Sequence, residues 1–354
     1  MVSRPAVFRR LRTALFAALS CSLLLPGIVL AQNQTLNIYS ARHYQTDEAL
    51  YADFTKTTGI KINRVDADDA GILARLKSEG SASPADLILL VDAARLWRAE
   101  VDGLFQAVNS TLLKERIPPH LRGKEEAGAS YWFGFSTRAR VVVYSKQSVK
   151  PADVDTYEKL AVAQNKGKVC TRSGSHPYNL SLFGSVMEHL GETATKTWLT
   201  GLVANMARAP KGGDTDQIRA VASGECQIAL TNTYYLARLM RSDKPEDRQV
   251  MEKIGIVFPN QNAWGTHVNI AGAGVAKNAK NREAAVKFLE YLASDSAQRY
   301  FADGNNEWPV VKGVKVNNPA LDQMGPFKSE TIPASIVGLN QVKVQRLLDQ
   351  VGYK

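Results

Sequence analysis

The sequence has few of the residues from which common metal and catalytic motifs are built. It contains three cysteines and five histidines in 354 residues. The cysteines form no Cys-X-X-Cys pair and have no histidine at a ligand spacing, which argues against a structural zinc site. A Gly-X-Ser-X-Gly motif is also missing, so the sequence does not predict the nucleophile elbow of an α/β-hydrolase.

Positive charge is spread along the chain rather than concentrated. The formal net charge is +10 at pH 7. No block of lysine and arginine is interleaved with aromatic residues, so a nucleic-acid partner is not indicated. Beyond the N-terminus no long apolar run occurs, which predicts a soluble mature chain. Internal repeats and low-complexity segments are also missing.

The first 31 residues have the pattern of a secretory signal peptide. Four arginines precede an apolar run that ends in the small-residue exit Val29-Leu30-Ala31, a pattern typical of export with cleavage. A membrane anchor, a lipoprotein cleaved before Cys21, and twin-arginine export through Arg9-Arg10 are the alternatives. Cleavage leaves 354 − 31 = 323 residues and a net charge of +10 − 4 = +6. That length suits two domains.

Two cysteines remain in the predicted mature chain, Cys170 and Cys226. In an oxidising compartment an even number of cysteines favours a disulfide. Two buried free thiols are the alternative.

Short apolar strands alternate with amphipathic helices along the chain. Residues 35–40 read as a strand, and a helix follows from Thr46, a candidate N-cap. The apolar run of residues 85–91 reads as a strand buried on both faces, followed by Asp92 as a candidate helix cap. This alternation predicts an α/β fold with mostly parallel sheets. Two long strands, at 135–145 and 265–278, are predicted to connect two lobes across a cleft.

Tyrosines follow three of the predicted strands, where loops lead into helices. In open α/β sheets such junctions converge on the ligand. One buried tyrosine is usually a packing residue, but several phenols beside a histidine form a set of hard donors that suits Fe³⁺. A bound cation can also hold a phenol ionised. The candidate ligands are His43, Tyr44, Tyr178, Tyr234 and Tyr235.

Several phenolates around one Fe³⁺ would carry excess negative charge, so nearby cations are expected. Arg42 adjoins His43. Arg138 and Arg140 lie two apart on a predicted strand and therefore share a face. Arg238 lies four residues after Tyr234, on the same helix face.

These residues resemble a known family, the periplasmic ferric-ion-binding proteins of ABC iron importers. The resemblance covers essentially the whole mature chain and is specific because its segments occur in order. They are LNIYSARHYQTDEALYADFTKTTGI, ADLILLVDAARLWRAE, FSTRARVVVY, CTRSGSHPYNLSLF, ALTNTYYLARL and GTHVNIAGAGVAKNAKN. The subgroup with one histidine and four tyrosine ligands fits best, because His43 and Tyr44 are adjacent.

The resemblance implies a two-lobed periplasmic-binding-protein fold of type II, transferrin-like, with two hinge strands and a ligand cleft. Lobe 1 would comprise residues 32–136 plus 267–310. Lobe 2 would comprise residues 137–266 plus 311–354. The strands bearing Cys170 and Cys226 would be neighbours in lobe 2. Each cysteine lies eight residues before a proposed ligand, so a disulfide would brace both ligand loops.

The resemblance also implies a function. The protein would be a periplasmic monomer, not an enzyme, that binds Fe³⁺ through five protein ligands and delivers it to an ABC permease in the inner membrane. No exogenous anion would be required, because no glutamate ligand is evident in lobe 1, and Fe²⁺ is an alternative cargo. Polyamine, thiamine or oxyanion binding by the same fold is a second hypothesis. A hydrolase built on Ser173, Ser175, His176 and His267 is a third.

Overall fold

A computed structural model describes residues 34–42 and 44–354. The predicted signal peptide, residues 1–31, and the candidate ligand His43 lie outside the described residues. Asn33–Lys354 forms one compact unit.

The described residues alternate strands and helices, as the sequence predicts. The strands are β1 Thr35–Ser40, β2 Lys61–Asp66, β3 Leu87–Leu90, β4 Glu125–Glu126, β5 Ala129–Ser130, β6 Phe133–Ser145, β7 Val169–Cys170, β8 Ile228–Asn232, β9 Ile254–Val257, β10 Val268–Val275 and β11 Trp308–Pro309. The α-helices are α1 Asp47–Thr58, α2 Asp69–Glu79, α3 Ala93–Val101, α4 Thr111–Arg116, α5 Pro177–Leu190, α6 Glu192–Ala204, α7 Asp214–Ser223, α8 Thr233–Met240, α9 Pro245–Lys253, α10 Arg282–Leu292, α11 Asp295–Arg299, α12 Pro319–Met324 and α13 Ala334–Val351.

Nine of these strands form one mixed sheet. Its order is β2-β1-β3-β10-β6-β8-β7, and β9 and β11 also pair with β6. The expected parallel pairing holds for β1 with β2 and β3, and for β7 with β8. It is wrong at the centre, where β6 and β10 run antiparallel to their neighbours. These strands are long connectors rather than members of strand–helix–strand units, so the crossover rule does not fix their direction.

The predicted connector at 135–145 is the 13-residue strand β6. Its residues 133–139 pair with β10, whereas residues 140–145 pair with β8 and β9. One strand therefore belongs to both halves of the sheet. The second predicted connector, 265–278, contains β10.

Buried apolar side chains form three clusters. The first cluster draws on residues 36–135 and 270–334. The second and third draw on residues 139–353, from opposite sides of β6, with Val142 in one and Val141 and Val143 in the other. Strand β3 is buried at every position, as its continuous apolar sequence predicts.

Side chains close in sequence cap several of the helices, including α2, α3 and α4. Asp92 caps α3, because its carboxylate accepts a hydrogen bond from the Arg95 backbone N–H, and this agrees with the sequence prediction. Thr46 precedes α1 as predicted, but it makes no side-chain cap. Its hydroxyl donates instead to the Asn305 side chain, because a distant loop packs against this turn.

Cys170 and Cys226 form a disulfide with a Cα–Cα distance of 5.8 Å. Cys170 ends β7, Cys226 lies just before β8, and these strands are paired neighbours. The bond therefore joins two strands that each lead into a helix bearing a candidate tyrosine. No helix in residues 34–42 and 44–354 is long and apolar enough to cross a bilayer.

Replacing both cysteines by serine should lower the free energy of unfolding by about 2–4 kcal/mol, because the bond closes a loop in the unfolded chain. Urea denaturation with and without reductant measures this effect. Reductant should destabilise the wild type and leave the double variant unchanged. Two reactive thiols in the denatured, unreduced mature protein would contradict the disulfide.

Candidate metal centre

The candidate tyrosines lie at the starts of two helices and in one loop. Tyr44 lies between β1 and α1. Tyr178 is the second residue of α5, which opens with Pro177, a favourable first helical residue. Tyr234 and Tyr235 lie in the first turn of α8, directly after the buried strand β8.

All four of these tyrosines meet in space. The Oη atoms of Tyr178 and Tyr234 are 3.2 Å apart. The rings of Tyr44 and Tyr234 meet edge to face, with centroids 5.8 Å apart, and those of Tyr234 and Tyr235 are 4.1 Å apart. The structure thus brings together the tyrosines of the three strand–helix junctions that the sequence indicates.

A cavity of about 460 Å³ opens beside the cluster. Tyr44, Tyr234 and Tyr235 line one part of it, and Arg238 and the loop at 304–306 line the rest. Tyr234 is only 1% exposed, whereas Tyr235 is half-buried. Tyr44 is also half-buried, so the cavity exposes part of the Tyr44 and Tyr235 side chains.

Burial keeps the enclosed phenols protonated in the absence of a metal. Desolvation raises the pKa of Tyr178 to about 12, although Arg138 opposes the shift. Desolvation also raises the pKa of Tyr44 and of Tyr234 well above the usual phenol value, and neighbouring phenols and, at Tyr44, Glu307 add to the effect. A charged form in this site requires a cation to stabilise it.

Arg138 supplies positive charge inside the cluster. Its guanidinium carbon lies 5.7 Å from the centre of the Tyr178 ring, and the residue is 1% exposed. Its side-chain nitrogens have no hydrogen-bond partner among the described residues. Glu307 is 3.9 Å away, which is an ion-pair distance but too long for a hydrogen bond. The guanidinium therefore retains unused donors beside the phenols.

The other predicted arginines have more specific contacts than the sequence indicates. Arg140 is hydrogen-bonded to Asp214, Asn179 and Asn232. These contacts join β6 to the starts of α7, α5 and α8, so Arg140 organises the helix ends that bear the tyrosines.

Arg42 is held by Asp47 at 2.8 Å and Glu307 at 3.1 Å. Its guanidinium lies over the Tyr44 ring, 4.7 Å from the centroid. Arg238 lies over the ring of Tyr235 at 5.7 Å. The sequence prediction placed Arg238 with Tyr234, but its guanidinium lies over the ring of Tyr235.

The sequence did not indicate that Glu307 and Arg172 are neighbours of the site. Glu307 is fully buried and accepts hydrogen bonds from Arg42 and Ser136. Arg172 lies over the Tyr178 ring at 5.2 Å. The polar run Asn305-Asn306-Glu307 before β11 is the one signal for a buried acid there.

The histidines of the hydrolase hypothesis have other partners. His176 caps α5, since its Nδ1 accepts a hydrogen bond from the Tyr178 backbone N–H. Burial, with nearby Arg172, lowers its pKa to about 3. His267 pairs with Glu330, which also accepts from Ser185. The candidate nucleophiles Ser173 and Ser175 are hydrogen-bonded to each other, with their Oγ atoms 3.0 Å apart, which is not the serine–histidine pairing that a hydrolase needs.

Clusters of three or more histidine, cysteine or acidic side chains that could hold a metal do not occur in the described part of the chain.

The chain is similar to known iron-binding proteins over most of its length. Residues 49–323 match the family of bacterial extracellular solute-binding proteins. Iron uptake proteins A1 and A2 of Synechocystis sp. are 47% and 48% identical to this chain, covering 91% and 93% of it and 88% and 93% of their own lengths. The major ferric iron-binding protein of Neisseria meningitidis is 27% identical, over 90% of this chain and 93% of that protein.

The fold of the chain is also similar to the folds of solved iron-binding proteins. The Trichodesmium protein IdiA (FutA), solved in complex with iron and citrate ligands, is 50% identical with a TM-score of 0.85, covering 90% of this chain and 100% of that one. The ferric binding protein from Campylobacter jejuni is 39% identical with a TM-score of 0.84, at 90% and 100% coverage. The predicted family and fold class are confirmed. The chain belongs to the bacterial extracellular solute-binding proteins and, among them, to the two-lobed periplasmic ferric-iron-binding proteins.

Proposed function

We propose that this protein captures Fe³⁺ in its interlobe cleft through the phenolates of Tyr44, Tyr178, Tyr234 and Tyr235 and the imidazole of His43. It then delivers the ion to an ABC permease in the inner membrane. The signal peptide, residues 1–31, would direct the chain to the periplasm, where such a carrier works.

The observation that carries the proposal is the 3.2 Å gap between the Oη atoms of Tyr178 and Tyr234. Two oxygens that each lie about 2.1 Å from one ion, at a right angle, are about 3 Å apart. The phenols therefore have nearly the spacing of two neighbouring ligands. Tyr44 packs against the same ring from another junction.

Charge balance supports a trivalent cation and anionic donors. Four phenolates and Fe³⁺ sum to −1, and Arg138 has unused guanidinium donors directly beside Tyr178. The acids near the site are already committed, Asp47 and Glu307 to Arg42 and Asp214 to Arg140. A polyamine or thiamine would need unpaired acids facing it, so a cationic organic ligand fits less well.

The ligands are proposed to come from two lobes. The proposed boundaries are 32–136 plus 267–310 for lobe 1 and 137–266 plus 311–354 for lobe 2. Support comes from the buried clusters, since residues near Tyr44 pack with the first cluster and α5 and α8 pack with the others. Metal would then favour the closed state, because that state assembles all the ligands.

Five protein donors would leave no need for an exogenous anion. The Trichodesmium relative contains citrate as well as iron, so the requirement needs a direct test in this chain. Loading with ferric ion in the presence and absence of citrate or carbonate provides it, and the proposal expects the same coloured product in each case.

Tyr178→Phe should weaken ferric binding by more than about 100-fold, because even outer partners of metal ligands contribute roughly 10–100-fold. The orange-red phenolate-to-iron absorption band should lose intensity at the same time. Competition titration against a chelator, followed by visible spectroscopy, measures both quantities.

Tyr291→Phe is the matched control for this variant. Tyr291 is a half-buried tyrosine that packs against the first cluster, away from the candidate ligands, and its hydroxyl donates to Asp53. It should leave the band and the affinity unchanged. A colourless wild type after loading, or an unchanged band in Tyr178→Phe, would refute the proposed ligand set.

Ferric binding should release about four protons, one from each phenol that becomes a phenolate ligand. Burial makes this release costly at Tyr44, Tyr178 and Tyr234, because it raises their pKa values. Affinity should therefore fall as the pH falls, since protons compete with the metal. Calorimetric titration in buffers of different ionisation enthalpy gives the number of protons released.

In the same titration Tyr178→Phe should release about one proton fewer than the wild type. Release of less than one proton by the wild type, or an affinity that rises on acidification, would show that phenolates are not the donors.

A further inference from the structure

A buried hydrogen-bond junction lies beside the cleft, centred on the carboxylate of Asp92. The hydroxyl of Ser181 donates to its Oδ2 at 2.6 Å, and the Asn269 side-chain amide donates to the same atom at 2.7 Å. The other oxygen accepts from the Arg95 backbone N–H and caps α3. Asp92 and Ser181 are both 0% exposed.

The members of this junction belong to different parts of the molecule. Asp92 caps α3, whose Leu96 packs in the first apolar cluster. Ser181 lies on α5, whose Leu182 packs in the second cluster. Asn269 lies on the hinge strand β10. The Ser181–Asp92 hydrogen bond therefore crosses from one proposed lobe to the other.

The junction also adjoins the metal centre. Asn269 is paired across the sheet with Arg138, so the two side chains share a face of the sheet. Ser181 lies three residues after Tyr178 on α5, which places both on one face of the helix. A movement of α5 relative to α3 would therefore also move Tyr178, which lies within one helical turn of Ser181.

Asp92 carries a buried charge that depends on these donors. No basic side chain in the described ranges forms an ion pair with it, and its partners are all neutral groups. Burying an ionised carboxylate is costly unless hydrogen bonds replace its water. The N-terminus of α3 adds favourable dipole charge. Loss of the Ser181 hydroxyl would therefore remove one of the hydrogen bonds that stabilise the buried Asp92 carboxylate.

We propose that Asp92 is a positioning residue for the metal centre. Through Ser181 it ties the helix that carries Tyr178 to the opposite lobe, and this bond slows iron release without touching the ion. The inference rests on the proposed function, because its main consequence is the retention of iron.

Ser181→Ala tests this inference, because it removes the interlobe bond and leaves the α3 cap in place. Iron release to an excess of competing chelator should be about tenfold faster than in the wild type, the factor expected for one hydrogen bond to a buried charge. The position of the visible band should not change, because every proposed ligand remains.

Ser185→Ala is the matched control. Ser185 is likewise fully buried on α5 and donates to a buried carboxylate, that of Glu330, but not to Asp92. It should release iron at the wild-type rate. Equal rates for Ser181→Ala and the wild type, or equal acceleration by both variants, would overturn the inference.

Hydrogen exchange provides a test that does not need iron. Ser181→Ala should accelerate amide exchange at the start of α3, residues 92–96, whereas Ser185→Ala should not. If the wild type binds no iron, the proposed function fails and the exchange result alone decides on the junction. Unchanged exchange at residues 92–96 in Ser181→Ala would overturn the inference.

Discussion

The site depends on positive charge that is buried beside neutral phenols. Arg138 lies against Tyr178 with side-chain nitrogens that have no hydrogen-bond partner in the described structure, and its carboxylate neighbour Glu307 is shared with Arg42. A buried cation of this kind is unfavourable while the phenols remain protonated. In the proposed function a metal would displace their protons, and the same guanidinium would then face anionic oxygens. Under that proposal the arrangement favours the metal-loaded state over the metal-free state.

The fold holds this charge in place by putting it on a strand that both halves of the sheet share. Arg138 and Arg140 project from β6 towards Tyr178. Arg140 binds residues at the starts of three helices, and Asp214, one of them, also accepts from the Asn232 backbone N–H just before α8. The start of α8, with its tyrosine doublet, is therefore fixed by contacts that originate on the same strand as the counter-charge.

The sequence predicted the parts of the site that follow from local pattern. Tyr178, Tyr234 and Tyr235 could be placed at helix starts because buried strands and helix signals surround them. It did not predict the pairing of Arg42 with Glu307, since 265 residues separate the two. Local sequence pattern also could not predict that β6 and β10 run antiparallel to their neighbours, because the path of the whole chain decides the direction of these central strands.

The length of strand β6 matters for a carrier that is proposed to open and close. Its 13 residues keep one continuous backbone while hydrogen bonding to different partners at its two ends. Bending such a strand requires small changes in a few backbone angles near its middle, where Arg138 and Arg140 lie. In the proposed function, the arginines that face the charged cargo would therefore lie where the strand bends, so that binding and bending would act on the same short segment of the chain.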